Sequence, residues 1–150
     1  MKLAEALQAR ADLNVRIQEL RGRICDNALV QEGEKPQEDP KALLQNLEEC
    51  LREWETLVSR INLTNCRTQC EGRTLTEQIS RRDALKIRIA ALREAANAAS
   101  QGARRASRTE IRVLSSLEVP SLQRQADQAS AELRSLDNRI QETNWTTELL

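Results

Sequence analysis

Leu3-Ala-Glu-Ala-Leu-Gln-Ala-Arg-Ala-Asp-Leu-Asn-Val-Arg-Ile-Gln-Glu-Leu20 decides the fold, because it returns in variant form as Leu75-Thr-Glu-Gln-Ile-Ser-Arg-Arg-Asp-Ala-Leu-Lys-Ile-Arg-Ile-Ala-Ala-Leu92. Apolar residues recur in both at helical spacing: Leu3, Leu7, Leu13, Ile17 and Leu20, then Leu75, Ile79, Leu85, Ile89 and Leu92. Such spacing lays a stripe along one face of an amphipathic helix. Apolar stripes align by chance, so the shared polar positions carry more weight. Glu5 matches Glu77, Arg10 matches Arg82, Arg16 matches Arg88 and Arg21 matches Arg93.

A further helical stretch follows each of these two. One starts at Pro40 behind a capping Asp39 and runs to about Asn65, with Leu43, Leu44, Leu47, Cys50, Leu51, Trp54, Leu57, Val58 and Ile61 as its apolar positions. The other starts near Pro120 and ends around Asn144, with Leu122, Ala126, Ala129, Leu133, Leu136 and Ile140. Both close alike, as Arg60-Ile-Asn-Leu-Thr-Asn65 and Arg139-Ile-Gln-Glu-Thr-Asn144, and the two Asn read as helix caps. The first helix is expected over 2–25. The third opens on a capping box, Thr74-Leu-Thr-Glu77, and runs to Ala99 or beyond. The fold class is therefore all-α with a minor β element. One domain, 1–150, is expected to hold two duplicated helix–strand–helix units, approximately 1–66 and 73–145, as a four-helix bundle or paired helical hairpins.

The β element is expected in the connectors. Ala28-Leu-Val-Gln31 and Glu110-Ile-Arg-Val-Leu-Ser115 look extended, and pairing them with each other or with a second subunit would satisfy their edges. The first connector is acidic (Glu32, Glu34, Glu38, Asp39) and the second basic (Arg104, Arg105, Arg108, Arg112), as mutual packing requires.

Composition narrows the chemistry. The 150 residues include 23 Lys+Arg and 23 Asp+Glu, no His, Phe or Tyr, and two Trp. Without His there is no Ser-His-Asp or Cys-His arrangement and no His-ligated metal. Zero net charge gives no general attraction for nucleic acid or an anionic membrane. The longest apolar run, Ile89-Ala-Ala-Leu92, is far short of the ~20 residues of a membrane span. No signal-peptide core opens the chain, so the expected location is cytoplasmic. Cys25, Cys50, Cys66 and Cys70 are spaced poorly for zinc and read as small buried packing residues. No metal, cofactor, nucleic acid or small-molecule substrate is expected.

Three groups of residues stand out. Arg10 and Arg82 interrupt the apolar stripes, where a guanidinium needs a carboxylate or amide partner. Asp12, Asp83, Glu55 and Asp137 are the candidate partners in a buried polar layer that fixes helix register, and an anion held between helices is the functional alternative. Arg104, Arg105, Arg108 and Arg112 form a basic patch, read as a solvated or internally paired charge run, with phosphate or nucleic-acid contact as the alternative. Leu44, Leu51 and Val58 lie beside the shared seam of the second helix and make its apolar face wider than one partner can cover. That surplus points to a homo-oligomer. Trp54 belongs to the seam, whereas Trp145, beyond the fourth helix, marks a partner surface if exposed.

Met1-Lys-Leu-Ala-Glu-Ala-Leu7, Val30-Gln-Glu-Gly33, Glu38-Asp-Pro40, Arg60-Ile-Asn-Leu-Thr-Asn65, Gly72-Arg-Thr-Leu-Thr76, Arg82-Asp83 and Leu136-Asp-x-x-Ile-Gln-x-x-Asn-Trp145 together carry a family resemblance. Over nearly its full length the chain resembles a family of small uncharacterised bacterial helical, coiled-coil proteins whose members are often labelled septicolysin. The resemblance implies a helical, oligomeric protein with no established catalytic residues, and the label implies a cholesterol-dependent pore-forming toxin. The residues themselves show neither an export signal nor paired ~10-residue alternating strands. The sequence therefore reads as a non-enzymatic, self-associating helical scaffold, with a pore-former and an anion or nucleic-acid binder as alternatives.

Overall fold

Three helices begin where a carboxylate or hydroxyl takes up N–H groups that the first turn leaves unpaired. In α1 (Leu3–Asp26), Glu5 Oε2 accepts from the Lys2 N–H at 2.6 Å. In α2 (Pro40–Arg67), Asp39 Oδ1 accepts from the Lys41 N–H at 3.0 Å, and Pro40 fills a first-turn position that needs no N–H. In α3 (Leu75–Arg105) the expected capping box forms. Thr74 Oγ1 accepts from the Glu77 N–H at 3.2 Å, and Glu77 Oε2 accepts from the Thr74 N–H at 2.7 Å. A fourth helix, α4 (Val119–Thr146), completes the set. These elements come from a computed structural model that describes the backbone of residues 1–105 and 112–150, and side chains outside 102–111. The architecture is all-α with a minor β element.

The chain gathers into two compact units, residues 1–68 with 143–150, and residues 69–142. In the first, α1 and α2 run antiparallel over a core of Leu13, Leu20, Leu43 and Cys50, flanked by Ile17, Ile24, Leu47, Trp54 and Leu57. Burying each Leu of this seam contributes roughly 2 kcal/mol. Trp54 Nε1 donates to Asn14 Oδ1 at 2.8 Å, satisfying the indole's one donor while its ring packs. Asn27 ties the connector down: its Nδ2 donates to the Arg23 carbonyl at 2.9 Å and its Oδ1 accepts from the Glu38 N–H at 3.0 Å. The Arg23 guanidinium pairs with Glu38, Nε to Oε2 being 3.0 Å. Residues after α4 pair with those before α1. The Leu3 N–H donates to Thr147 O and the Leu149 N–H to Met1 O, both at 2.9 Å, around an antiparallel bridge between Lys2 and Glu148.

In the second unit, β1 (Gln69–Cys70) and β2 (Arg73–Thr74) form an antiparallel hairpin pairing Gln69 with Thr74 and Cys70 with Arg73. Its two-residue loop has φ of 52° at Glu71 and 76° at Gly72, the type I′ pattern whose twist suits paired strands. Gln78 is buried in the first turns of α3 and donates from Nε2 to the Cys70 carbonyl at 2.9 Å. Leu75, Leu85, Ile89 and Ala96 of α3 and Ala126, Ala129, Leu136 and Ile140 of α4 are buried.

Several sequence expectations are corrected. The β element lies between helices α2 and α3 and at the chain ends, not in the long connectors. Residues 28–31 form no strand, because Asn27 and Glu38 close the connector, Gly33 turns it at φ 84°, and Leu29 and Val30 face solvent. Residues 112–115 form no strand either, and 110–111 lie outside the described residues. Asn65 and Asn144 are not caps, since α2 continues to Arg67 and α4 to Thr146, and Asn144 is buried. Cys50 and Cys70 are buried as expected, but Cys25 and Cys66 are exposed near the C-terminal ends of their helices.

Candidate functional site

The six polar residues expected to form a layer are divided between the two units, and none is buried. A two-helix seam is narrow enough for an arginine stem to lie on it while the guanidinium reaches water. Arg82 sits 2.9 Å from Asp83 Oδ1 and 4.0 Å from Asp137 Oδ1, so α3 and α4 do bring these three together. Arg10 meets neither of its candidate partners: Asp12 accepts instead from Gln8 Nε2 at 2.8 Å, and Glu55 is exposed on α2. Among the described residues no ion pair reaches Arg10.

Of the basic patch, Arg112 is exposed, while the side chains of Arg104, Arg105 and Arg108 lie outside the described residues. The expected facing of the acidic and basic connectors falls on the same stretch.

The outer stripe of α2 is an apolar feature that runs along the helix. Leu44 is 48% exposed and Leu51 is 38% exposed, one heptad apart, and Val58 follows a heptad later, half-buried. Leu43, Cys50 and Ile61 on the same helix are buried, so one side of α2 is fully engaged while its neighbouring side meets water. Trp145, at the end of α4, is 61% exposed.

Sequence reasoning missed the work done by the two Arg-Ile-x-x-Thr-Asn endings. Arg60 Nε donates to the Leu150 carbonyl at 2.6 Å, and Thr64 Oγ1 accepts from the Leu150 N–H at 3.0 Å. Arg139 Nε lies 2.9 Å from Glu71 Oε2. Each ending thus holds the short β segment that follows or faces its helix. The repeated motif was visible, but its partners lie beyond the motif in the chain. Gln78 was missed too, because nothing local distinguishes it from a solvated helix glutamine.

Three carboxylates are held below the usual range by hydrogen bonds to their charged form. Glu77 is lowered by the Thr74 N–H and hydroxyl, Glu38 by Arg23, and Glu148 by Lys2 and the Met1 amine. All three fasten helix starts or loops. In the first unit an open cavity of about 420 Å³ is lined by Met1, Ala9, Arg52, Glu53, Thr56, Leu57 and Arg60. Among the described residues no three His, Cys, Asp or Glu side chains converge as metal ligands, and no helix is long and apolar enough to cross a membrane.

Comparison with proteins of curated function finds no match. Among solved structures, the chain is similar to a functionally unknown conserved protein from Corynebacterium diphtheriae, with 40% identity and a TM-score of 0.94. The similarity covers 100% of this chain and 99% of that one. Neither this neighbour nor the matching family is described as a septicolysin. Residues 10–149 match the model described as "Family of unknown function (DUF6847)", and the chain belongs to that family.

Proposed function

We propose that this protein is a non-enzymatic helical scaffold that associates with copies of itself through the outer stripe of α2. The observation that carries this reading is the heptad Leu44–Leu51–Val58, exposed or half-exposed beside a seam that already buries the other face of the helix. A stripe repeating every seven residues matches the way helices pack side by side, and isolated surface leucines show no such repeat. The absence of His from the whole sequence supports a role without acid–base chemistry. Light scattering across micromolar concentrations tests the reading. The wild type is expected to exceed the 17.0 kDa monomer mass, and Leu44→Glu/Leu51→Glu to return it to that mass. A monomeric wild type overturns the proposal.

The same reading treats the chain as two copies of one unit. Glu5 capping Lys2 and Glu77 capping Thr74 stand 72 residues apart. The Lys2–Glu148 bridge and the Thr74–Gln69 pair occupy matching places before one helix and after another, as do the Arg60–Leu150 and Arg139–Glu71 contacts. The toxin label has its own test, dye release from cholesterol-containing and cholesterol-free liposomes by pure protein, and the scaffold reading expects no leakage.

A further inference from the structure

We infer that the self-association proposed above is parallel and twofold, with Arg10 and Arg21 of each copy reaching Glu55 and Glu48 of the other. The inference rests on that reading and on how charge is distributed about the α2 stripe. Trp54 lies three residues after Leu51, on the edge of the stripe nearer α1, and its indole bonds Asn14. Asn14 therefore marks the edge of α1 that borders the stripe. Arg10 and Arg21, four residues before and seven after Asn14, lie along the same edge. Glu48 and Glu55 follow Leu44 and Leu51 by four residues each, which puts them on the opposite edge of α2. One border of the stripe is cationic and the other anionic.

A second observation concerns Arg10 itself. At the matching level of α3 and α4, Arg82 has Asp137 at 4.0 Å and Asp83 at 2.9 Å. In α1 and α2 the corresponding places hold Val58 and Ala11. Arg10 is half-buried, and among the described residues no carboxylate pairs with it. Glu48 and Glu55 are exposed and likewise form no ion pair there.

Charge then selects the arrangement. A twofold axis running along α2 lays each stripe on its copy and crosses the borders, cationic against anionic. An antiparallel pairing sets arginine edge against arginine edge and glutamate against glutamate, which is repulsive. The levels agree with the parallel arrangement. Asn14 is level with Trp54, so Arg10 is level with Val58, about 4.5 Å along the axis from Glu55 of a second copy. Arg21 falls level with Leu47, about 1.5 Å from the height of Glu48 of that copy. An arginine side chain spans either offset.

Sedimentation equilibrium on the full chain tests this with charge reversal. Arg10→Glu and Glu55→Arg, the latter at an exposed position, are each expected to weaken self-association about tenfold at low salt. The double variant, which exchanges the two charges, is expected to recover most of that loss. Circular dichroism confirms that each variant stays folded, and Glu55→Arg alone suffices should Arg10→Glu unfold. If the wild type associates and Leu51→Glu abolishes it, but Glu55→Arg has no effect or the double variant fails to recover, the parallel arrangement is wrong while the scaffold reading stands. A monomeric wild type overturns both.

Discussion

Glu77 shows how much a single carboxylate organises. It accepts from the N–H and the hydroxyl of Thr74 at 2.7 and 2.9 Å, fixing the corner where β2 becomes α3. Those bonds hold its pKa below the ordinary value. The stabilisation is complete above the unfolded carboxylate pKa of about 4.3 and is lost as pH falls through the lower folded value. Glu77→Gln is therefore expected to melt at a lower temperature than wild type at pH 7, with the gap closing as the pH falls through the lowered folded value of Glu77. A gap that persists undiminished in acid would contradict the assignment. Leu136, fully buried on α4, makes a different kind of contribution. Leu136→Ala removes its apolar contacts and leaves a cavity, and urea titration should report a loss of about 3 kcal/mol.

At the scale of elements, the hairpin loop is the sharpest test. Nothing lies within 4 Å of a Cβ added at Gly72, so a substitution there meets open space, and its cost comes from the backbone at φ 76°. Gly72→Ala should lower stability by about 1 kcal/mol, and Gly72→Asn by less, because Asn tolerates the left-handed region. Equal losses for both would point away from a conformational cause. The contrast between this hairpin and the helix starts explains what the sequence made legible. Asp39-Pro40 and Thr74-x-x-Glu77 act within one turn, so their residue types reveal them directly. Strands of two residues carry no alternation to read, and Glu71-Gly72 is a weaker turn signal than Asn-Gly. Leu29 and Val30 misled in the opposite direction: an apolar pair in a connector resembles a strand, yet the Asn27–Glu38 clasp leaves both in water. The arginine on the stripe was legible from its place in the heptad. Which arginine has a carboxylate was not, because that depends on the register between helices.

For the molecule as a whole, residues from the two ends of the sequence share one unit, where Leu149 is buried and its N–H reaches Met1 O. Removing residues 147–150 should lower the melting temperature by several degrees, since it deletes a buried leucine and the acceptor of the Leu3 N–H. An unchanged melting temperature would mean the tail contributes nothing. The proposed self-association is expected to weaken from 50 mM to 500 mM salt, as the proposed ion pairs at the borders of the stripe are screened, and to persist in part because the stripe itself is apolar. The two tryptophans make such measurements possible without labels. With no Tyr or Phe in the chain, near-ultraviolet absorbance and fluorescence come almost wholly from two indoles in contrasting surroundings. Trp145 is solvent-facing and should emit at long wavelength and be readily quenched by acrylamide, whereas Trp54 is anchored to Asn14 beside the stripe. Trp145→Phe therefore leaves one native fluorophore at the contact between α1 and α2, whose colour reports the opening of that helix pair and serves as a readout for the proposed docking of a second copy.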